Sequence, residues 1–169
     1  MKPPRPWAEN VPALVWGPLT SALLMLAAAL LALATGRPLL FPSLGPTAFL
    51  HSHDPKQPAA SLYNTLVGHA LGLAAGYLSV FVFAAASTPA LFAAHSLAPE
   101  RGWASVLAIA LTLLLQQLTK SYHPPAAATT LLVALGGFRP TLGDAGSVVI
   151  GVLVVALLGE VVRRGKVTE

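Results

Sequence analysis

The chain lacks cysteine altogether and carries few charges for its length. Without cysteine, disulfides and thiolate metal sites are excluded, and the redox compartment stays undefined. Charged residues make up 9% of the 169 residues, whereas a soluble domain carries about 25%. Because 55% of the residues are hydrophobic, too little polar surface is left to cover a globule in water. The composition therefore predicts an integral membrane protein in the lipid bilayer.

The central parts of the apolar segments lack the acidic residues that enzyme catalysis would need. None lies in the middle of an apolar run, and neither a glycine-rich phosphate loop nor a serine elbow occurs. The histidines of the His51-Ser52-His53-Asp54 stretch fall in a predicted polar loop, without the spacing of a metal site. We therefore predict that the protein is not an enzyme and holds neither a metal nor another cofactor.

The basic residues cluster at the two chain ends. Lys2 and Arg5 precede the first apolar run, and Arg163, Arg164 and Lys166 follow the last one. In a soluble protein this balance would indicate a nucleic-acid partner, but at the ends of apolar runs it is typical of the positive-inside rule. We predict no nucleic-acid partner, two cytoplasmic termini, and the bacterial inner (plasma) membrane as the location.

Four apolar segments approach the roughly 20 residues that a helix needs to cross a bilayer. They cover residues 13–34, 60–86, 103–118 and 145–162. The last two are short, so tilting or local thinning of the bilayer is expected there. We predict one membrane domain over residues 1–169, with a first repeat at about 13–86 and a second at about 103–162.

Both loops between the paired spans contain apolar runs too short to span, LLFPSLGPTAFL at 39–50 and PPAAATTLLVALGG at 124–137. Runs of this length are candidates for re-entrant or interfacial helices. Proline suits the first helical position, where its missing N–H costs nothing. Pro46 and one of Pro124 or Pro125 are therefore predicted helix starts.

Two matches indicate an internal repeat. An S-x-x-P pattern at 43–46 recurs at 121–124, at an offset of 78. Paired glycines in the second and fourth spans match at an offset of 83, namely Gly68 and Gly76 with Gly151 and Gly159. With two spans in each half, the repeats share one topology, and segments 36–58 and 120–144 fall on one non-cytoplasmic side. The predicted fold is all-α, with four transmembrane helices in two parallel repeats, each with a short proline-led re-entrant half-helix.

A helix N-terminus presents free N–H groups and about half a positive charge, which makes it an anion site. Two arrangements of the half-helices are open. Their starts either meet inside the bundle, or both helices lie flat at the membrane interface and cap the bundle. Lys120 and His123 would add positive potential, while Lys120 has the alternative of snorkelling to the headgroups. His69, inside the second span, needs either a wet pathway or an interhelical hydrogen bond. The predicted substrate-binding residues are Ser43, Gly45, Thr47, His69, Lys120, Ser121, His123, Ala126 and Ala127. The backbone N–H groups at 45–47 and of Ala126 and Ala127 are predicted to hold the anion, and Ser43, Thr47 and Ser121 add hydroxyl donors.

Three motifs resemble the HPP family of integral membrane proteins. They are HPPAAAT at 123–129, FPSLGPTAFL at 41–50, and the P-x(5)-N-x(3)-G-H run at 58–69. The resemblance implies four transmembrane segments and, from members in chloroplasts and cyanobacteria, nitrite transport. Family members often carry a basic residue where this chain has Ala59 and Ala60, and that departure bears on the substrate.

Taken together, these patterns predict a membrane transporter for a small monovalent anion, with nitrite as the first choice. The route would be channel-like or facilitated, and a homo-oligomer is expected because four spans enclose little space. Three alternatives stand against this prediction: a non-transporting membrane scaffold, a cation or proton-coupled carrier in which His69 and His123 titrate, and a membrane-embedded metal hydrolase.

Overall fold

The structure is a computed structural model that describes residues 7–167, so Lys2 and Arg5 lie outside the described residues. Within this range the chain forms seven α-helices and no strand. The helices are α1 (Ala13–Thr35), α2 (Leu44–His53), α3 (Leu62–Val82), α4 (Leu91–Ala94), α5 (Pro99–Thr119), α6 (Ala126–Ala134) and α7 (Leu142–Arg164). Four of them, α1, α3, α5 and α7, are long and apolar enough to cross a membrane. The all-α class with four spans is confirmed.

The helix boundaries follow local signals. Gly36 ends α1 in the left-handed conformation, at φ 64°, and Pro99 occupies the start of α5. The side chain of Ser61 accepts a hydrogen bond from the Asn64 N–H at the start of α3. Because α5 and α7 run over 21 and 23 residues, they reach about 31–35 Å. They need no thinning of the bilayer, unlike the shorter segments that the sequence predicted.

The two ends of the bundle are defined by different contacts. At one end, the N–H of Ala8 donates to the Gly165 carbonyl at 2.9 Å, and Trp16 packs on Gly165. We call this the termini end, because both ends of the chain lie there. At the other end, the Arg101 guanidinium donates to the Ala134 carbonyl at the end of α6, and we call it the Arg101 end.

Each short helix forms half of a broken crossing. Phe41, just before α2, packs on Gly151 midway along α7, whereas His51 packs on Gly159, close to the termini end. The chain therefore enters from the Arg101 end in an extended segment and completes the crossing as α2. The second broken crossing runs in the opposite sense, because α6 starts beside Gly72, midway along α3, and finishes at the Arg101 end.

The predicted parallel relation of the repeats is therefore corrected to an inverted one. Each half has three crossings, namely a span, a broken crossing and a second span, and an odd number of crossings reverses the next half. The sequence prediction counted two spans per half because it let both proline-led segments return to the side they came from. Inverted repeats related by a pseudo-two-fold axis in the membrane plane are a known transporter arrangement.

Glycine contacts fix which residues correspond in the two repeats. Each of four glycines lies where a Cβ atom would come within 2.9 Å of a neighbour on the facing broken crossing. The contacts are Gly68 with His123, Gly151 with Leu39 and Phe41, Gly76 with Val133, and Gly159 with His51. The equivalent partners His123 and Phe41, like Val133 and His51, are 82 positions apart. The predicted S-x-x-P match at offset 78 therefore joins positions that are not structurally equivalent.

The inverted topology predicts which loops are exposed on the same side of the membrane. The native chain is free of cysteine, so Lys56→Cys, Lys120→Cys and Arg139→Cys would each introduce a single thiol at an exposed position. A membrane-impermeant maleimide is expected to label the first two from one side and Arg139→Cys from the other. The measurement compares right-side-out with inside-out vesicles, and labelling of all three from one side would restore the parallel arrangement.

Candidate functional site

Five buried polar side chains lie together where the two broken crossings meet. We call them the His69 cluster, and they are Ser43, Thr47, His69, His123 and Thr129, each at most 2% exposed. Ser43 precedes α2, Thr47 lies in its first turn, and Thr129 lies in the first turn of α6. His69 projects from the middle of α3, and His123 belongs to the extended segment before α6. Both repeats therefore contribute to one site.

His69 bridges the two half-helices. Its Nε2 lies 2.9 Å from the Thr47 hydroxyl on α2, and its Nδ1 lies 2.7 Å from the Thr129 hydroxyl on α6. The two threonines are 82 positions apart, so they are equivalent residues of the two repeats. The position equivalent to His69 on α7 is occupied by Val152, which leaves one imidazole to serve both half-helices.

His123 is held from three sides. Its Nδ1 lies 2.7 Å from the Ala59 carbonyl, and its backbone N–H donates to the Gln116 side chain at 2.9 Å. A Cβ atom on Gly68 would lie only 2.6 Å from the His123 Cβ, so this glycine permits the close approach. The His123 ring thereby comes within 4.9 Å of the His69 ring, centroid to centroid.

The starts of the two half-helices touch each other. The hydroxyls of Ser43 and Thr129 are 2.7 Å apart, so the first turns of α2 and α6 meet in the interior of the bundle. Both helices point their positive ends at this place. Pro125 directly precedes α6, as the sequence predicted for one of the two prolines, whereas α2 begins at Leu44, two residues before Pro46.

The predicted backbone donors are already engaged. The N–H groups of Ala126 and Ala127 donate to the carbonyls of His123 and Pro124, both at 3.0 Å, and the Gly45 N–H donates to Pro42 at 3.2 Å. These bonds form because the residues before each half-helix make a tight turn that satisfies its first N–H groups. The N–H groups of Ala126, Ala127 and Gly45, predicted as direct anion donors, are therefore already bonded to backbone carbonyls.

Two further predicted residues lie outside the cluster. Lys120 ends α5 in the left-handed conformation, at φ 54°, and it is exposed. Its place is the termini end, because the neighbouring Thr119 carbonyl accepts a hydrogen bond from Tyr63 at the start of α3. Ser121 is fully buried, but its hydroxyl pairs with Thr119 at 2.7 Å. Neither residue reaches His69.

The sequence reasoning missed a polar stripe along α2. Ser43, Thr47 and His51 recur every four residues and therefore lie on one face of the helix. His51 is fully buried and lies 3.1 Å from the Thr65 hydroxyl on α3, which corrects its assignment to a polar loop. The four-residue spacing was the available signal, and it stayed hidden because the helix was expected to begin only at Pro46.

Cavities open at both ends of the bundle, with the cluster between them. The cavity at the termini end measures about 970 Å³ and is lined by Ser52, Asp54 and Lys56, among others. The cavity at the Arg101 end measures about 460 Å³ and is lined by Arg101 and Arg139. The side chains of the cluster bond to one another, and none of them lines either of these two cavities.

Arg101 anchors the far end of α6. Its guanidinium donates to the carbonyls of Thr88, Pro89 and Ala134 at 2.8, 2.7 and 3.0 Å, and the residue is 5% exposed. The last carbonyls of a helix carry partial negative charge and favour a cation there. Arg101 thus fixes α6, and with it Thr129, against α5 and the α3–α4 connection.

His69 also borders a lateral groove. A cavity of about 180 Å³ between α3 and α7 is lined by His69 and otherwise by apolar side chains. Its walls are built from equivalent positions, such as Leu66 with Val149 and His69 with Val152, so it lies on the pseudo-two-fold axis. The His69 imidazole is the polar side chain among the residues that line this cavity.

Comparison with known proteins supports the resemblance seen in the motifs. The profile of the HPP transmembrane region matches residues 6–167, which is nearly the whole chain. Neither the curated proteins nor the solved structures contain a match. The helices, the four spans and this match agree, and the chain therefore belongs to the HPP family of membrane proteins.

Proposed function

We propose that the protein transports a small monovalent anion, with nitrite as the first choice, through the His69 cluster. One observation carries the proposal: His69 joins the first turns of two half-helices whose positive ends meet inside an apolar bundle. Anions are favoured at helix N-termini, and transporters with inverted repeats place their substrate at the junction of such broken helices.

The charge around the cluster suits an anion. Within residues 7–167 no acidic side chain hydrogen-bonds to the cluster, and the buried carboxylate of Glu160 is paired with Arg163 and Arg164. A hydroxyl can rotate its hydrogen towards a ligand, and an imidazole can carry its hydrogen on either ring nitrogen, so both groups can donate to an anion. An anion entering the cluster would accept hydrogen bonds from imidazole N–H and hydroxyl groups that now bond to one another, which replaces the backbone donors predicted from the sequence.

The corrected topology strengthens the case for cytoplasmic termini. Of the eight described lysines and arginines, five lie at the termini end, namely Lys56, Lys120, Arg163, Arg164 and Lys166. The other three are Arg37, Arg101 and Arg139, and Arg101 is occupied with backbone carbonyls. By the positive-inside rule the termini end faces the cytoplasm, and the bacterial inner membrane stays the proposed location. We further propose a homo-oligomer, because one protomer encloses little space.

The test is nitrite and nitrate flux into proteoliposomes, with empty vesicles as the baseline. Wild-type protein is expected to carry at least one of the two anions above the baseline. Equal rates with and without protein would leave a non-transporting scaffold as the function of this fold.

Lys120→Ala should keep the flux within about threefold of wild type at physiological ionic strength, because an exposed charge is largely screened there. The measurement is the initial rate of nitrite entry in parallel preparations of equal protein content. A loss of flux close to the empty-vesicle rate would instead return Lys120 to the binding site.

A further inference from the structure

The Thr47 hydroxyl has three hydrogen-bond partners but only one hydrogen to donate. Its oxygen lies 3.1 Å from the Ser43 carbonyl, 2.9 Å from His69 Nε2 and 3.3 Å from His123 Nε2. A hydroxyl donates one hydrogen and accepts at two lone pairs. The carbonyl only accepts, so the direction of the three bonds depends on the protonation of the two imidazoles.

One pattern satisfies the cluster with both imidazoles neutral. Because the Ala59 carbonyl can only accept, His123 carries its hydrogen on Nδ1 and accepts at Nε2 from the Thr47 hydroxyl. His69 then donates from Nε2 to Thr47 and accepts at Nδ1 from Thr129, which in turn accepts from Ser43. Every hydroxyl and ring nitrogen of the cluster has a partner in this state.

A second pattern satisfies the same atoms with one more proton. If His123 is protonated at Nε2, it donates to Thr47, and the Thr47 hydroxyl turns its hydrogen to the Ser43 carbonyl. The Thr47 oxygen then accepts from both imidazoles through its two lone pairs. Without an anion, the two states differ by the proton on His123 and by the rotation of one hydroxyl hydrogen. An anion that enters the protonated cluster would accept hydrogen bonds from the imidazole N–H groups in place of the Thr47 oxygen.

Within residues 7–167, no acidic side chain hydrogen-bonds to His123 to supply a counter-charge for this proton. The titratable side chains near His123 are the imidazoles of His69 on α3 and of His51 on α2. The contacts from α5 and from the 58–60 turn are the neutral amide of Gln116 and the Ala59 carbonyl. Burial of an unpaired charge is costly, so an anion and the proton stabilise each other in the cluster.

From this geometry we infer that the cluster binds one proton together with each monovalent anion and that transport is electroneutral. The inference rests on the proposed anion transport. On entry, a proton from solution forms a bond to the Nε2 lone pair of His123, and on exit this N–H bond breaks and the proton returns to solution with the anion. No electron is transferred, and the Thr47 hydroxyl acts as the rotor between the two patterns.

The experiment follows nitrite entry and internal acidification in the same proteoliposomes, with a trapped pH-sensitive dye. Wild type is expected to acidify the interior by about one proton per nitrite, beyond the acidification of empty vesicles. A potassium diffusion potential set with valinomycin is expected to leave its nitrite flux unchanged. Nitrite entry without acidification, at a rate that follows the potential, would overturn the inference and leave the transport function standing.

Thr47→Val and Thr47→Ser separate the rotor from simple packing. Valine keeps the shape but removes the hydroxyl, so acidification per nitrite is expected to fall about tenfold, as for the loss of a buried hydrogen-bond partner. Serine keeps the hydroxyl and is expected to keep the wild-type ratio, which also guards against misfolding as the cause. A folded Thr47→Val protein with the wild-type ratio contradicts the inference. Failure of wild type to move any anion would instead overturn the transport function together with the inference.

Discussion

Replacing His69 by leucine is expected to reduce anion flux by about 100-fold or more, since two buried hydrogen bonds of about 1–3 kcal/mol each are lost. The substitution removes a side chain that hydrogen-bonds both to Thr47 on α2 and to Thr129 on α6. Leucine fills a similar volume, so the packing of α3 against the half-helices changes less than its polarity. The measurement is the initial rate of nitrite entry into proteoliposomes.

His53→Leu is the matched control for this variant. It exchanges the same two residue types, but His53 is exposed in the last turn of α2 at the termini end. Its flux is expected to equal that of wild type, and size-exclusion profiles in detergent should be the same for both variants. If His69→Leu is folded and its flux stays within about threefold of wild type, the anion does not pass His69.

The sequence predicted the helices well because apolar length is a strong signal in a bilayer. All four spans lie where the hydropathy placed them, although α5 and α7 are longer at their ends. Those extensions contain Arg101, Asp144 and Arg163, whose charges interrupt an apolar run without ending a helix. Arg101 is accommodated because backbone carbonyls satisfy its guanidinium, a contact that hydropathy does not reveal.

The relation between the repeats was beyond the reach of the sequence. The segments before α2 and α6 are extended, and an apolar run of 12–14 residues does not show whether it returns or continues across. The match of the paired glycines at an offset of 83 is confirmed by their contacts. Applied to the half-helices, this offset would have paired Thr47 with Thr129 to within one residue, but an offset does not distinguish parallel from inverted repeats.

The candidate site was predicted in part. His69 and His123 were singled out as polar residues in an apolar setting, and Ser43 and Thr47 as hydroxyl donors near a helix start. Lys120 was included because it is an ionisable residue at the end of an apolar span, next to a predicted helix start. The left-handed turn at Lys120 sends the chain inward while that side chain stays at the termini end, and local backbone conformation of this kind is not visible in residue types.

Oxidation of a double variant, Ser43→Cys with Thr129→Cys, is the second change expected to have a large effect on anion flux. The two hydroxyl oxygens are 2.7 Å apart, and a disulfide requires sulfurs at about 2.05 Å, so a small shift of either half-helix closes the bond. The native chain has no other thiol, which makes this pair the only one that oxidation can join within a protomer. The bond would tie α2 to α6 and close the junction of the two repeats.

Nitrite flux through this double variant, before and after oxidation, tests the central claim that the anion passes where the two half-helices meet. Each single-cysteine variant is the control for oxidant damage, and the number of free thiols reports whether the bond has formed. We predict that oxidation lowers the flux of the double variant to the rate of empty vesicles and that dithiothreitol restores it. A disulfide that forms fully and leaves the flux unchanged would contradict the account.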